Sequence, residues 1–220
     1  MADSEPLEAS DGTNSGNADC GGCDDGEALV DGRAARRQRN IDVVIDVVLE
    51  MFGEELLLPT IEQAATRSGL SLRSLYRYFA DPGELLAATI KRSRQRALEL
   101  SRLHNIGQGS LEDRVNDFVD MRLRLHDSVG AVFRATVVNA VRHPGIGGEL
   151  AKNRDEMRTQ FELQFAPELD QMNPTEHQVA VTAGDLLTQL DSIDLLVRHR
   201  QLGVDEIRHA LTAALLTLLG

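Results

Sequence analysis

The stretch Ala64–Phe79 limits most sharply what this chain can fold into. Small residues (Ala64, Ala65) come late in one short run of helix-forming positions, Gly69 follows, and Ser71 opens a second run that ends at Phe79. Glycine tolerates the left-handed backbone that ends many helices, and a serine hydroxyl caps the next one. Ala65 is small because the two helices cross closely there, and Leu70 with Leu75 is expected to lock the pair. The pattern is that of a helix-turn-helix, whose second helix presents its outer face to the major groove of duplex DNA.

Ile41, Val44, Ile45, Val48, Leu49 and Phe52 recur at steps of three and four, the spacing of one apolar helical stripe. Helix one is therefore predicted from just after Arg36. A Leu56-Leu57-Leu58-Pro59 linker leads to Thr60, whose hydroxyl can cap a helix running to about Arg67 while Gln63 reaches back to it. Asp81-Pro82, a cap followed by proline at the first helical position, starts helix four, which Leu86, Ile90, Ala97 and Leu100 carry to about residue 102. Five more helices are expected: Ser110 to about His126, Val129 to about Arg142 with Pro144 as the stop, Gly148 to about Phe165, Asn173 to about His199, and Asp205 to about Leu219. No segment alternates with period two, so the fold class is all-α with nine helices.

Charge divides the chain more than its total of −12 suggests. Residues 1–32 hold nine acids and no Lys or Arg, and are rich in Gly and Ser. Such a composition cannot offset the entropy of ordering, so a disordered acidic tail is expected over 1–32. Residues 33–102 hold twelve Lys or Arg against nine acids, and residues 103–220 eleven against seventeen. The one net-positive block is the one that carries the helix-turn-helix, as a phosphate-facing surface requires. Three parts follow: the tail at 1–32, a DNA-binding domain at 33–86 that helix four links onward, and a second domain at 103–220.

Both cysteines lie in Cys20-Gly21-Gly22-Cys23, with no second ligand pair at zinc-finger spacing and no distributed disulfide framework. No metal or other cofactor is expected. The start lacks the basic region of a signal peptide, and no apolar run approaches the roughly 20 residues of a membrane span. A cytoplasmic location is expected, with no membrane partner. There is no phosphate-binding Gly-rich loop, Gly-x-Ser-x-Gly elbow or His-Glu-x-x-His pair, and the six histidines are scattered, so an enzyme is not expected.

The turn Gly69-Leu70-Ser71 and the ending Leu75-Tyr76-Arg77-Tyr78-Phe79 resemble the signature of the tetracycline-repressor (TetR) family. The similarity covers about Ile41 to Leu86, and beyond that the helix count and lengths agree. Two positions depart from it: Leu56 stands near the place of a usual loop glycine, and Pro82 replaces a usual lysine at the start of helix four, removing one phosphate contact.

The resemblance implies a homodimer that binds a palindromic operator on double-stranded DNA and is released by a small-molecule effector, most simply as a repressor. Carried over by position, Arg73 is the main base reader, with Leu72 and Ser74 beside it. Thr60, Ser71, Tyr76 and Tyr78 match positions that grip phosphates, and Arg33, Arg36 and Arg37 lie just before helix one. The alternative is a helical small-molecule sensor or protein-interaction module with this fold and no DNA binding.

Leu186, Leu190, Ile193 and Val197 on helix eight, with Ile207, Leu211, Leu215 and Leu218 on helix nine, form long apolar stripes. By resemblance they pair two subunits and hold the recognition helices about 34–36 Å apart; alternatively they close the chain's own core. In helix five the stripe Leu111, Val115, Phe118 continues as Arg122 and His126, polar groups that need partners inside. A ligand carboxylate is one possible partner, Asp185 or another internal acid the other. Phe133, Thr136, Val137 and Asn139, with Met157 and Phe161, would complete a mixed wall for an effector pocket.

Overall fold

The computed structural model describes residues 25–54, 59–141 and 143–220, with side chains from residue 32 onward. The chain parts into two units, Met1–Arg39 and Asn40–Gly220. In the first, the described residues are helical, because α1 (Asp25–Gly53) begins there. Within the expected tail of residues 1–32, the described residues 25–32 are thus helical. Glu27, Ala28 and Leu29 are strong helix formers, and the acids at 25 and 27 fall in a first turn whose partial charge is positive. Cys20 and Cys23 lie outside the described residues.

In the second unit α1 continues to Gly53 and is followed by α2 (Ile61–Ser68), α3 (Leu72–Tyr78), α4 (Pro82–Leu100) and α5 (Leu111–Ala140). Then come α6 (Pro144–Gln164), α7 (Ala166–Leu169), α8 (Pro174–Thr188), α9 (Leu190–Arg198) and α10 (Val204–Leu219). Among the described residues there is no strand, and no helix is long and apolar enough to cross a membrane. The all-α class holds, with ten described helices where nine were expected.

Four differences account for the count and the altered bounds. The helices expected at Ser110 to His126 and Val129 to Arg142 are one, α5, because nothing at Asp127-Ser128 breaks the stripe Phe118, Arg122, Leu125, Val129, Val132, Thr136, all buried. The helix expected from Asn173 to His199 is two. At Gln189 the backbone is extended (φ −67°, ψ 148°), while its side-chain amide donates to the carboxylate of Asp185 and to Arg154 O. Pro144 opens α6 rather than only ending its predecessor, since a proline at N1 lacks only an N–H that no helical carbonyl needs. The short α7 had no periodic signal of its own.

Two cores form. Around α1 to α4, Val44, Val48, Phe52, Ile61, Leu75, Phe79 and Leu86 pack together and are joined by Val132, Ala135 and Ile146 from α5 and α6. Farther along the chain, Phe118 meets Phe161 and Phe165 edge to face and those two rings tilt against each other, with centroids 4.9–6.0 Å apart, among apolar residues of α8 to α10. Gly184 of α8 lies directly over the Phe161 ring, where any β-carbon would clash.

Candidate nucleic-acid interface and interior cavity

The helix-turn-helix is ordered by its own caps. Thr60 Oγ1 accepts from the Gln63 N–H at 3.2 Å and the Gln63 side chain accepts from the Thr60 N–H at 2.9 Å, a complete capping box. Gly69 ends α2 in the left-handed region (φ 67°), and Ser71 Oγ accepts from the Ser74 N–H at 3.2 Å to open α3. These bonds satisfy backbone donors that would otherwise be left open at each helix start. Ser74 is drawn into the cap as well, its hydroxyl 2.9 Å from that of Ser71.

The exposed face of α3 is made by Leu72, Arg73, Tyr76 and Arg77, two i, i+4 pairs side by side. Arg73 makes no hydrogen bond or ion pair among the described residues and projects freely. Arg77, which the motif did not single out, lies 5.3 Å from the Tyr78 ring centroid. Tyr76 is half exposed and donates its hydroxyl proton to Glu62 Oε1 at 2.9 Å. That bond raises the tyrosine pKa, while a backbone hydrogen bond and, after it, the Tyr76 hydroxyl lower that of Glu62. Glu62 thus orients a phosphate-contact candidate while setting a negative charge beside it, a partnership no sequence motif announces.

Tyr78 is placed differently from Tyr76. Its ring belongs to the core, 8% exposed, and its hydroxyl accepts from Asn40 Nδ2 at 3.1 Å, tying α3 to α1. Arg36 and Arg37 are exposed on α1 within the first unit, as is Arg33. Behind the helix-turn-helix, Arg92 of α4 pairs with Asp42 of α1, and Arg96 with Asp46 at 3.2 Å.

A cavity of about 90 Å³ lies among α4, α5, α6 and α9. Phe133, Thr136 and Met157 line it as expected, together with Ser93, Ala97, Leu125, Val129, Gln160 and Leu190. The other expected pocket residues fall elsewhere. Phe161 is the centre of the aromatic cluster, Asn139 is buried and donates to Ala135 O, and Val137 does not reach the lining. His126 Nε2 is 3.2 Å from Asp194 Oδ1, a carboxylate that also accepts from Arg134. Asp185 accepts from Gln189. Arg122 stands behind the lining, hydrogen-bonded to Gln160 Oε1 and Met157 O. Among the described residues no group of His, Cys, Asp and Glu is placed to hold a metal ion.

The expected self-association surface is largely absorbed into the chain itself. Leu190, Ile193, Ile207, Leu211 and Leu215 are buried in its own core, and Val197 and Leu218 pack against it half-buried. Leu186, by contrast, is 62% exposed, and Val179 on the same side of α8 is exposed as well. Helical periodicity had reported that α8 to α10 bury an apolar stripe without saying against what.

No family model matches the chain. Over 90 residues it is 36% identical to the HTH-type transcriptional regulator BetI of Escherichia coli, a match covering 40% of this chain and 45% of that protein. The chain thus spans about half the length of the curated relatives it matches. Its structure is similar to that of a TetR-family transcriptional regulator from Streptomyces coelicolor, with a TM-score of 0.62 at 21% identity over 84% of this chain and 80% of that one. It is also similar to the multidrug binding protein EbrR complexed with imidazole, with a TM-score of 0.57 at 17% identity over 84% and 95%. The helix-turn-helix, the linking α4 and the helical body that follows together give this chain the fold of the TetR-family transcriptional regulators.

Proposed function

We propose that this protein is a DNA-binding transcriptional regulator that binds an inverted-repeat operator as a dimer, through residues 33–86, and is released by a small molecule bound within residues 103–220. The observation that carries the reading is the α3 face, where Arg73 projects without a partner from a helix held in place by local caps. A free guanidinium on such a helix matches the bidentate acceptor pair of guanine in the major groove. Leu72 and Ser74 flank it, while Thr60, Ser71, Tyr76, Arg36 and Arg37 supply contacts to the phosphate backbone.

The cavity at α4, α5, α6 and α9 is the effector site, and α4 carries its state to α1 through Arg92 and Arg96. The dimer forms through the outer faces of α8 and α10, which expose Val179 and Leu186 on one helix and the small Ala210 and Ala213 on the other. The protein acts in the cytoplasm, where its operator lies.

Selection from a random duplex pool with purified protein tests this reading. An enriched inverted repeat whose affinity falls steeply with salt is the expected result. Absence of any enriched sequence at low salt would remove the DNA-binding function and leave only the ligand-binding body.

A further inference from the structure

Arg122 of α5 is wholly enclosed, with 0% of its surface exposed. Nη1 donates to Gln160 Oε1 at 2.7 Å and Nη2 to Met157 O at 2.8 Å, the guanidinium sits 4.6 Å from the Phe118 ring centroid, and Nε has no partner. Every one of these partners is neutral. Asp185 acts on it only through space, and burial pushes the guanidinium pKa down to about 9, leaving it charged at neutral pH. The two cations that line the cavity are each paired: Arg94 with Glu149 at 2.7 Å and with Glu156, Arg154 with Asp191 at 2.8 Å. Among the described residues that line or back this cavity, Arg122 is thus a cation with no carboxylate in hydrogen-bond contact. A buried charge whose desolvation a non-contacting carboxylate offsets only in part is unfavourable, and a ligand that brings a counter-charge into contact is selected for it.

The groups that separate Arg122 from the cavity, Gln160 and Met157, are themselves part of the cavity wall. We propose that the effector is a small monoanionic carboxylate with an apolar body, its carboxylate replacing the Gln160 side chain at Arg122 and its body lying against Leu125, Val129, Phe133 and Leu190. This rests on the cavity being the effector site. Gln160 also donates from Nε2 to Ser101 O at 3.1 Å, the residue that caps the C-terminus of α4. A carboxylate that takes Arg122 from Gln160 thus loosens the far end of the helix whose Arg92 and Arg96 hold α1, and the two states differ in affinity for the ligand as release requires.

Binding of butanoate, butan-1-ol and butylammonium to the full chain, by calorimetry and by competition against the operator complex, tests this. Butanoate should bind at least tenfold more tightly than either analogue and release the operator. In Arg122→Met the butanoate and butanol affinities should become equal. Gln160→Glu supplies the counter-charge from within at nearly constant volume, so it should abolish the butanoate preference while raising the melting temperature, and it serves if Arg122→Met does not fold. Butanol or butylammonium binding as tightly as butanoate and releasing the operator would overturn the carboxylate assignment and leave the cavity as effector site. A butanoate preference that survives both variants would place the carboxylate away from Arg122 and overturn the proposal. If none of the three binds, the effector reading of the cavity falls and the proposal with it.

Discussion

The two ends of the chain's second unit use polar groups differently. In the helix-turn-helix the bonds that set helix ends join residues three apart, Thr60 with Gln63, Ser71 with Ser74 and Asp81 with Glu84. Around the cavity the ordering bonds run between helices: Arg154 reaches Asp191, Arg122 reaches Gln160, and His126 reaches Asp194, across 37, 38 and 68 residues. Local capping orders α3 without using Arg73, which stays open to a partner. Long-range pairing makes α5, α6 and α9 one body in which a change at a single polar group is felt by several helices. The proposed DNA-reading role needs the first arrangement, and the proposed ligand response the second.

If that contrast is right, damage to the body should appear as lost stability and damage to the reading head as lost affinity. The largest effect is expected at the aromatic cluster: Phe161→Ala should cost about 3–5 kcal/mol of unfolding free energy in denaturant titration, with operator affinity per folded molecule preserved. Gly184→Ala forces a methyl into the same ring, and although it improves helix propensity it should still destabilise by about 1–3 kcal/mol. Arg73→Ala should do the reverse. It should leave the melting temperature unchanged and weaken operator binding by about 5- to 150-fold, the ~1–3 kcal/mol of a bidentate guanine contact, with relaxed preference at one base position.

Thr60→Ala should cost about 1 kcal/mol in stability through loss of the capping box, and any larger loss would mean that the reading head depends on more than its local bonds. The smallest effect sharpens the comparison at its edge. Glu62→Gln removes a negative charge beside Tyr76 and should tighten DNA binding modestly at low salt, with the gain fading as salt rises, because exposed charges are screened. Weaker binding instead would mean that holding Tyr76 in place matters more than the repulsion.

The same contrast explains which features the amino-acid sequence makes legible. The caps at Thr60, Ser71, Asp81, Ser110 and Asn173 all open helices where expected, because a cap is written in residues two or three apart. Three of the nine expected pocket residues, Phe133, Thr136 and Met157, line the cavity. The others were on the right helices and facing inward, but inward led to the aromatic cluster for Phe161 and to Asp194 for His126. Tyr78 shows the same dependence: its motif position does not reveal that Asn40 of α1 donates to its hydroxyl.

By itself the sequence determined the helical class, the caps and turn of the reading head, and the face on which Arg73 stands, since each depends on neighbours within one turn of helix. Only the tertiary structure decided that α5 runs unbroken, that Gln189 divides α8 from α9, that most of the α9 and α10 stripe is buried in the chain's own core, and that Arg122 lies buried with no carboxylate in hydrogen-bond contact. Those outcomes depend on which helix faces which. Apolar periodicity says that a surface will be buried, and its non-directional driving force carries no label for the partner that buries it.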